Sequence, residues 1–317
     1  MTKPIIYIDG EAGTTGLQIH DRLAHREDIE LLTIGEAKRK DPAERKKLLN
    51  AADLVFLCLP DQAAEEAVGL IDSPSTRVID ASTAHRTAPG WVYGFPELGA
   101  EVREAVRTAK RVANPGCYAT GFIALVAPLV KRGVLPADAP LTCHALSGYT
   151  GGGKKLISVY EAVEREPELV SPRHYAVHLD HKHIPEMVQV CGLTRKPVFA
   201  PMVCDFPQGM VVTVPLHLDL MNGKQSLESL RALYHDFYAG ARFVTVRPPD
   251  APACGFIGSN NLAGTNDLQI FVCGSEEQVL LAARLDNLGK GASGAAVQNM
   301  NIMLGFPEEA GLTDKEN

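Results

Sequence analysis

Cys117 is the residue of this chain best placed to act as a nucleophile. It follows a Pro115-Gly116 turn and opens a stretch, 118–130, that is almost wholly apolar. A helix that is apolar on all sides is expected in a protein interior, and its N-terminus carries about half a positive charge. That charge favours a thiolate over a thiol. The sequence therefore predicts a reactive cysteine in the first turn of a buried helix.

The remaining cysteines lie in short apolar, strand-like runs or lack a helix start and a nearby base. We expect these six to be structural or surface thiols: Cys58, Cys143, Cys191, Cys204, Cys254 and Cys273. The total of seven is odd, no C-x-x-C pair occurs, and no positively charged leader precedes Pro4. These features are typical of a reducing compartment, so we expect a cytoplasmic protein.

A second set of chemically capable side chains is a histidine-rich segment, in which His181 and His183 stand two residues apart. On an extended chain they would share one face. Three interpretations compete: a zinc cluster, a general acid or base oriented by a neighbour, or exposed polar side chains. Zinc needs three or four ligands, and no further ligand follows at a useful spacing. We therefore expect an imidazole that moves protons and no metal.

A glycine-rich turn lies between an apolar run, 4–9, and a helical pattern, 17–23. In such a strand-turn-helix unit, glycines let the backbone approach a pyrophosphate and the helix N-terminus supplies amide donors. The spacing is G-x-x-G-x-x-G and departs from G-x-G-x-x-G, so a tight turn without a ligand is the alternative. The candidate phosphate-binding residues are Gly10, Gly13, Thr14, Thr15 and Gly16.

The residues after the second predicted strand, 29–34, bear on the choice of dinucleotide. Glu36 would suit the ribose 2′-hydroxyl of NAD, whereas Lys38, Arg39 and Lys40 would suit the 2′-phosphate of NADP. The three cations favour NADP(H), and a solvated basic turn is the alternative.

The elements that must position these residues indicate an α/β protein of two domains. Strands and helices alternate over roughly the first 110 residues, which predicts a Rossmann-like doubly wound parallel sheet. The later region predicts an α+β domain with a mostly antiparallel sheet, from β segments at 198–200, 210–220, 241–246 and 268–272 and a helix at 227–238. Ligands of a doubly wound sheet bind at the carboxyl ends of its strands, where the glycine turn, the segment 82–86 and Cys117 all fall.

A glycine-rich loop, 147–155, contains four glycines and ends in Lys154 and Lys155. It could hold an anion with backbone amides and Lys154, or it could be a flexible lid without an anion contact. The chain of 317 residues has a net charge of -7 and no long basic run, which argues against a nucleic-acid surface. No apolar run approaches the roughly 20 residues of a membrane span, so we expect small-molecule chemistry.

Four motifs together give a close resemblance to a known family over nearly the whole chain. They are Asn114-Pro115-Gly116-Cys117-Tyr118, the run His181-Lys182-His183-Ile184-Pro185-Glu186, the loop from Ser147 to Lys154, and Asp286-Asn287-Leu288-Gly289-Lys290-Gly291-Ala292. The chain resembles the shorter bacterial form of the N-acetyl-gamma-glutamyl-phosphate reductase family. That family is related to aspartate-semialdehyde and glyceraldehyde-3-phosphate dehydrogenases.

The resemblance implies NADPH-dependent reduction of N-acetylglutamyl 5-phosphate to the 5-semialdehyde in arginine biosynthesis. Cys117 would form a thioester, and His183, or alternatively His181, would move protons. It also implies a homodimer or homotetramer and three segments: 1–116 for NADP binding, 117–290 for catalysis and oligomerisation, and 291–317 returning to the first. The alternatives are an aspartyl or aminoadipyl phosphate substrate, a non-catalytic NADP-binding regulator, and a metal-dependent hydrolase.

The remaining site residues come from the same resemblance. Asn287, Lys290 and Gly291 are expected on the nicotinamide side of the cofactor, and Ser82 is a further cofactor candidate. Arg86 follows His85, where the family usually has an aromatic residue, and its guanidinium could pair with a carboxylate or phosphate. The candidate substrate-binding residues are Arg86, Asn114, Ser147, Gly148, Lys154 and Glu186.

Overall fold

A six-stranded parallel sheet forms the centre of the first of two compact units. The computed structural model describes residues 2–39, 41–251 and 255–312, so Lys40, Cys254 and the segment 313–317 lie outside the described residues. The first unit comprises 2–96, Ala100–Pro115 and Ala292–Leu312, and the second comprises Glu97–Gly99 and Gly116–Gly291.

The strands of the first unit are β1 (Ile5–Asp9), β2 (Glu30–Leu32), β3 (Leu54–Leu57), β4 (Arg77–Asp80), β5 (Val92–Tyr93) and β6 (Arg111–Ala113). Its first four helices are α1 (Thr14–Leu23), α2 (Pro42–Ala51), α3 (Asp61–Gly69) and α4 (Ala100–Thr108). The sheet order is β2-β1-β3-β4-β6-β5, with all pairs parallel. The chain moves from β1 to β2 on one side and then to β3 on the other, which makes the β1–β3 gap a topological switch point.

Helices cover both faces of this sheet, as its uniformly apolar strands require. On one face Ile6 and Ile8 of β1 pack into a core with Ile19 of α1. On the other face Tyr7 packs with Leu49 of α2 and helix α3. The alternation along β1 therefore confirms the predicted doubly wound sheet.

The α-helices in the described part of the second unit are α5 (Cys117–Lys131), α6 (Gly153–Tyr160), α7 (Ile184–Cys191) and α8 (Leu227–Phe237). Its strands are β7 (Thr142–Gly148), β8 (Arg173–His174), β9 (Val198–Cys204), β10 (Met210–His217), β11 (Val244–Val246), β12 (Leu268–Gly274) and β13 (Gln278–Leu285). The sheet order is β11-β12-β13-β10-β7-β9-β8. The β11–β12 and β7–β9 pairs are parallel and the other pairs antiparallel, so the sheet is mixed and mostly antiparallel.

Helix α5 is the buried helix that the sequence predicts, with 12 of its 15 residues buried. It packs so closely on the sheet that a Cβ at Gly121 would lie 2.6 Å from a methyl group of Val212 on β10. The Tyr238 hydroxyl, just after α8, donates to the Ala124 carbonyl of α5 at 2.8 Å. None of the described helices has the length and apolar character needed to cross a bilayer.

The last helix, α9 (Gly294–Leu304), belongs to the first unit although it follows the whole second unit in the chain. Its residues Ala296, Val297 and Met300 are fully buried in the core that includes Ile6 and Ile8. A π-helical turn, Gly289–Ser293, precedes it. The first unit is therefore built from segments far apart in sequence.

Candidate active site

Cys117 is the first residue of α5, as the sequence predicts, and it is partly exposed. Gly116 takes the N-cap position with extended backbone angles, and no side chain caps this helix end. The backbone N–H of Gly116 instead donates to Oε2 of Glu186 at 3.1 Å. Glu186 is buried in the first turn of α7. A carboxylate predicted to bind substrate thus supports the turn that carries the cysteine.

The other described thiols lie in surroundings that keep them protonated. Burial raises the pKa of Cys58, Cys143 and Cys191 far above the usual value. Burial also raises the pKa of Cys204 and Cys273, both of which are on strands of the mixed sheet. Since thiolates are the reactive form of cysteine, Cys117 is the strongest nucleophile candidate among the described cysteines.

The histidine segment forms a turn and is not an extended chain. The Ile184 N–H donates to the His181 carbonyl at 2.9 Å, which closes a turn just before α7. The backbone N–H of His183 donates to Nδ1 of His181 at 3.1 Å. The two imidazole rings are nevertheless neighbours, with centroids 4.6 Å apart, and both are largely buried.

Three aromatic rings surround His181, and sequence reasoning missed their role. The ring centroids of Tyr118, Phe199 and Tyr175 lie 5.6, 5.2 and 5.7 Å from the His181 centroid. The Tyr175 hydroxyl is 3.4 Å from Nε2 of His181. Tyr118 directly follows the cysteine in sequence, which was the one available signal.

The hydroxyls of Tyr118 and Tyr175 belong to the same cluster as Cys117. Burial raises the pKa of each hydroxyl far above its usual range, and the charge of Cys117 raises both further. Both phenols are therefore within electrostatic reach of the sulfur. The Tyr118 hydroxyl also interacts with the side chains of Tyr175 and Ser147. The structure thus groups Cys117, the two histidines, two tyrosines and Ser147 in the second unit.

The segment between Tyr175 and His181 contains two strained backbone positions. Ala176 and Leu179 have φ angles of 51° and 57°, in the left-handed region that non-glycine residues avoid. Such positions cost about 1–3 kcal/mol each and often occur at functional sites. Here the strain lies in the segment that brings the Tyr175 hydroxyl and the His181 ring together.

The predicted glycine-rich loop is mostly a strand end, a 3-10 turn and a helix. Ser147 and Gly148 are the last residues of β7, and Lys154 is in the first turn of α6, where it is exposed. A Cβ on Gly148 would lie 2.4 Å from the Pro207 carbonyl oxygen, so close backbone packing explains this glycine. The segment 147–155 is therefore part of a strand-turn-helix unit.

Arg86 and Asn114 both lie in the first unit and make hydrogen bonds within it. Arg86 donates to the carbonyl oxygens of Asn114 and Ala81 at 3.0 and 3.2 Å. The Asn114 side chain donates to the Ala292 carbonyl at 2.9 Å and accepts from Asn299 at 3.3 Å. These hydrogen bonds are all to other groups of the protein. They fix the backbone at the end of β6, just before the turn that carries Cys117.

Asp80, at the end of β4, organises the segment that contains Ser82. The buried Asp80 carboxylate accepts from the Ser82 hydroxyl at 2.7 Å and lies 2.6 Å from Nδ1 of His85. The His85 ring stacks on Trp91 with centroids 4.1 Å apart. His85 thus replaces an aromatic residue while keeping an aromatic packing contact.

The glycine turn after β1 packs closely against the backbone that follows β3. Gly10 has a φ of 88°, and a Cβ there would lie 2.3 Å from the Cys58 carbonyl oxygen at the end of β3. The turn is thus at the switch point between β1 and β3. Helix α1 begins at Thr14, three residues earlier than the pattern indicates, and no side chain caps its N-terminus. Its first amides fit the pyrophosphate of a dinucleotide.

The two basic candidates for nucleotide selection are on a short 3-10 turn after β2. Nζ of Lys38 lies 3.7 Å from Glu44, and a guanidinium nitrogen of Arg39 lies 3.7 Å from Glu36. All but Glu44 are well exposed, and exposed pairs of this kind contribute little. Both cations can therefore turn towards a bound anion at small cost.

The second unit contains the three candidates for the nicotinamide side of the cofactor, Asn287, Lys290 and Gly291. Each of them contacts other residues of the same unit. Asn287 donates to the Thr150 hydroxyl at 3.0 Å and accepts from the Gly209 N–H at 2.8 Å. The Lys290 ammonium is buried and pairs with Glu97 at 2.6 Å. Gly291 packs on Cys117, where an added Cβ would lie 2.8 Å from the Cys117 Cβ.

No group of three or more metal-ligating side chains occurs within residues 2–39, 41–251 and 255–312. The two neighbouring histidines are packed against aromatic rings.

Two models of known protein families match this chain. The family model for the semialdehyde dehydrogenase NAD-binding domain matches residues 6–106. The model for the semialdehyde dehydrogenase dimerisation domain matches residues 117–287, which begin at the cysteine. A nicotinamide cofactor and an oligomeric enzyme acting on a small molecule follow from this membership.

Solved structures show the same fold. Aspartate semialdehyde dehydrogenase II from Vibrio cholerae, complexed with ASA, superposes with a TM-score of 0.73 over 96% of this chain and 99% of that one, at 13% identity. The Francisella tularensis aspartate semialdehyde dehydrogenase gives 0.70 over 95% and 100% of the chains, at 12% identity. At such identities the likeness concerns the fold alone.

Curated relatives are much closer in sequence. N-acetyl-gamma-glutamyl-phosphate reductase 2 of Nostoc sp. is 51% identical over 322 residues, covering 98% of this chain and all of that protein. The Burkholderia cenocepacia reductase is 50% identical over 98% of this chain and all of its own length. Reductase 2 of Pseudomonas putida is 50% identical over 96% and 98%. With half of its residues shared along nearly its full length, this chain belongs to the N-acetyl-gamma-glutamyl-phosphate reductase family of semialdehyde dehydrogenases.

Proposed function

We propose that this oxidoreductase catalyses the NADPH-dependent reduction of N-acetyl-L-glutamyl 5-phosphate to N-acetyl-L-glutamate 5-semialdehyde and phosphate in arginine biosynthesis. The observation that carries this proposal is the place of Cys117. It opens the buried helix α5 beside a histidine-tyrosine cluster, in a chain half identical to reductases of that name.

Cys117 is the proposed nucleophile. Its thiolate attacks the acyl carbon of the acyl phosphate, a carbon–sulfur bond forms, and the carbon–oxygen bond to phosphate breaks with release of inorganic phosphate. A thioester accepts hydride far more readily than a carboxylate does, which is why this chemistry uses a cysteine. The amides at the start of α5 favour the anionic sulfur and the negative charge that develops on the substrate.

The first unit is the proposed site of the nicotinamide cofactor. When bound, the cofactor supplies the hydride that reduces the thioester to a thiohemiacetal, which then releases the aldehyde and regenerates the thiol. The turn from Gly10 to Gly16 and the N-terminus of α1 would hold its pyrophosphate. Ser82, fixed by Asp80 at the end of β4, is proposed as a further contact. Asn287, Lys290 and Gly291 are proposed for the nicotinamide side.

His183 is the proposed acid and base. Nδ1 of His181 accepts from a backbone N–H and its Nε2 faces the Tyr175 hydroxyl, so both of its nitrogens face protein groups. The match to the family's motif favours His183 for proton transfer, with His181 as the alternative. A placed imidazole contributes about 10²- to 10⁴-fold to such a reaction.

Substrate recognition is proposed for Arg86, Ser147, Lys154 and Glu186, with the backbone of Asn114 and Gly148. The Lys154 ammonium is exposed in the first turn of α6 and forms no ion pair with a described residue. It is the best placed of these groups to bind an anion. Glu186 also supports Gly116, so its carboxylate is held in place beside the cysteine turn.

NADP(H) is the proposed form of the cofactor, because Lys38 and Arg39 follow β2 on an exposed turn. A homodimer or homotetramer is proposed, since the dimerisation model spans the second unit. A cytoplasmic location is supported by the six described cysteines, none of which forms a disulfide.

The reverse reaction tests the proposal. N-acetylglutamate 5-semialdehyde, phosphate and NADP are mixed with the wild type or with Cys117→Ser, and NADPH absorbance is followed. Phosphate-dependent activity that disappears in the variant would support both the thioester route and this substrate. Activity with aspartate semialdehyde alone would replace the substrate, and no activity with either aldehyde would contradict the proposal. The pH profiles of His183→Asn and His181→Asn would then separate the two histidines.

A further inference from the structure

The chain passes between its two units at two places that concern Cys117. It leaves the first unit at Pro115–Gly116, directly before the cysteine, and returns to it at Gly291–Ala292. At each of these two places, residues of the first unit and residues of the second unit make contacts within their own unit. These contacts hold the segment that contains Cys117 in place.

In the second unit the returning segment presses on the cysteine. A Cβ built on Gly291 would lie 2.8 Å from the Cβ and 3.2 Å from the Cα of Cys117. Only a glycine backbone fits at that distance. The Gly291 N–H donates to the Asp286 carbonyl at 2.9 Å, and the Asp286 carboxylate accepts from the Gly264 N–H at 2.7 Å. The segment behind the cysteine is therefore fixed as well as close.

In the first unit, Asn114 links the segment before Cys117 to the segment after Gly291 by hydrogen bonds. Its side-chain amide donates to the Ala292 carbonyl at 2.9 Å, and its oxygen accepts from Asn299 at 3.3 Å. Asn114 is three residues before Cys117, and Ala292 directly follows Gly291. The segments 114–117 and 291–292 are thus joined by the hydrogen bond from Asn114 to Ala292 and by the packing of Gly291 on Cys117.

Ser293 connects the returning segment to the glycine-loop helix α1. Its hydroxyl donates to Gln18 at 2.9 Å and accepts from Nε of Arg22 at 3.3 Å. Ser293 is fully buried, and both partners are on α1. A movement of α1 would therefore reach Gly291 through only two residues of chain.

We infer that Asn114 and Ser293 are positioning residues for Cys117, and that they transmit occupancy of the nucleotide loop to the reactivity of the thiol. The inference rests on the proposed function only for the nucleotide site at α1 and the nucleophilic role of Cys117. Neither side chain needs to touch the substrate. Asn114 fixes the resting position of the cysteine turn, and Ser293 makes that position respond to α1.

Alkylation of Cys117 by iodoacetamide tests the inference without any turnover. The rate is followed by mass spectrometry of the peptide that contains Cys117, with and without 2′-phospho-ADP-ribose. This nucleotide keeps the pyrophosphate but lacks the nicotinamide ring, so the ring cannot shield the thiol. Calorimetry measures its binding to each variant.

The expected result is a change of at least about threefold in the wild-type rate when the nucleotide binds. Ser293→Ala should bind the nucleotide within about twofold of the wild-type affinity and lose that change in rate. Asn114→Ala should alter the rate without nucleotide, and its kcat should fall about tenfold while KM stays within about twofold. If the alanine variant does not fold, Asn114→Ser takes its place.

Two asparagines outside the cysteine turn serve as controls. Asn50 donates to the Leu70 carbonyl at 2.8 Å in the first unit, and Asn222 donates to the Gly133 carbonyl at 2.9 Å in the second. Their alanine variants should leave the alkylation rate unchanged.

The inference is wrong if either control changes the alkylation rate as much as Asn114→Ala does, or if the nucleotide does not change the wild-type rate. It is also wrong if Ser293→Ala no longer binds the nucleotide, or if the nucleotide still changes the alkylation rate of this variant. An inactive enzyme that shows the expected alkylation pattern would contradict the proposed substrate and leave the positioning role standing.

Discussion

Glu186 Oε2 accepts a hydrogen bond from the backbone N–H of Gly116, 3.1 Å away and one residue before Cys117. Glu186→Ala would leave this buried N–H without that acceptor, which costs about 1–3 kcal/mol. Glu186→Gln keeps an oxygen in the same place and should retain most of the stability. Urea unfolding of the two variants measures the difference, and equal losses in both would show that the hydrogen bond is unimportant.

The buried Lys290–Glu97 pair predicts a strong effect of removing one charge. Both side chains are about 2% exposed and their charged atoms are 2.6 Å apart. Lys290→Met alone should lower the free energy of unfolding by about 3–5 kcal/mol, because it leaves a buried carboxylate uncompensated. The double variant with Glu97→Leu should recover much of that loss. Guanidinium unfolding of the three proteins checks this, and additive losses would refute it.

The buried thiols predict lower stability at alkaline pH. Burial raises the pKa of Cys143 in the folded protein, whereas the unfolded thiol ionises near its ordinary value of 9.0. Above that pH the unfolded state has released the proton and the folded state has not, so stability falls as pH rises. One such thiol contributes about 1.4 kcal/mol per pH unit. In urea unfolding at pH 7.5 and pH 10, Cys143→Ala should show a smaller loss between the two pH values than the wild type, and an unchanged loss would contradict the assignment.

Gly291 lies against Cys117, so a larger residue at this position should displace the cysteine by steric contact. An alanine there would place its Cβ 2.8 Å from the Cβ of Cys117, so Gly291→Ala should displace the thiol and reduce kcat by about tenfold or more. Gly69, near the end of α3, has open space around the same position, and Gly69→Ala is the control. Steady-state kinetics of both variants decide the matter, and equal kcat values would argue against the contact.

The basic turn after β2 predicts nucleotide preference. Replacing Lys38 and Arg39 by alanine should raise KM for NADPH about tenfold, the effect of losing a charged hydrogen bond, with KM for NADH nearly unchanged. Lys47 lies 3.6 Å from Glu44, the residue that Lys38 also approaches, so Lys47→Ala is a matched control. A parallel rise in KM for both nucleotides would point to a general loss of binding.

Much of this fold could be predicted because the informative patterns are local. The glycine turn before α1 and the apolar run of α5 are each recognisable from residue type and from a clear boundary residue. Strand β13 was not predicted, because Ala282 and Ala283 give it low strand propensity. Its place is determined by pairing with β10 and β12 on its two sides.

The sequence indicates which residues belong to the candidate site better than it indicates how they are arranged. On an extended segment His181 and His183 would share one face, but Pro185 at the start of α7 and Gly192 at its end are signals of a helix that begins just after the two histidines. Lys290 pairs with Glu97, a residue 193 positions away. Tyr175 meets His181 only through the strained turn between them. Such contacts depend on tertiary packing, which no local pattern encodes.

The position of α9 has a consequence for synthesis on the ribosome. The core of the first unit includes Ala296, Val297 and Met300 of α9, which are translated after the entire second unit. Until they emerge, the parallel sheet has one incompletely covered apolar face. The second unit contains no segment of α9 and can close earlier. The nucleotide-binding half of this protein is therefore expected to mature last, and nascent chains stalled shortly before Gly294 should depend on chaperones.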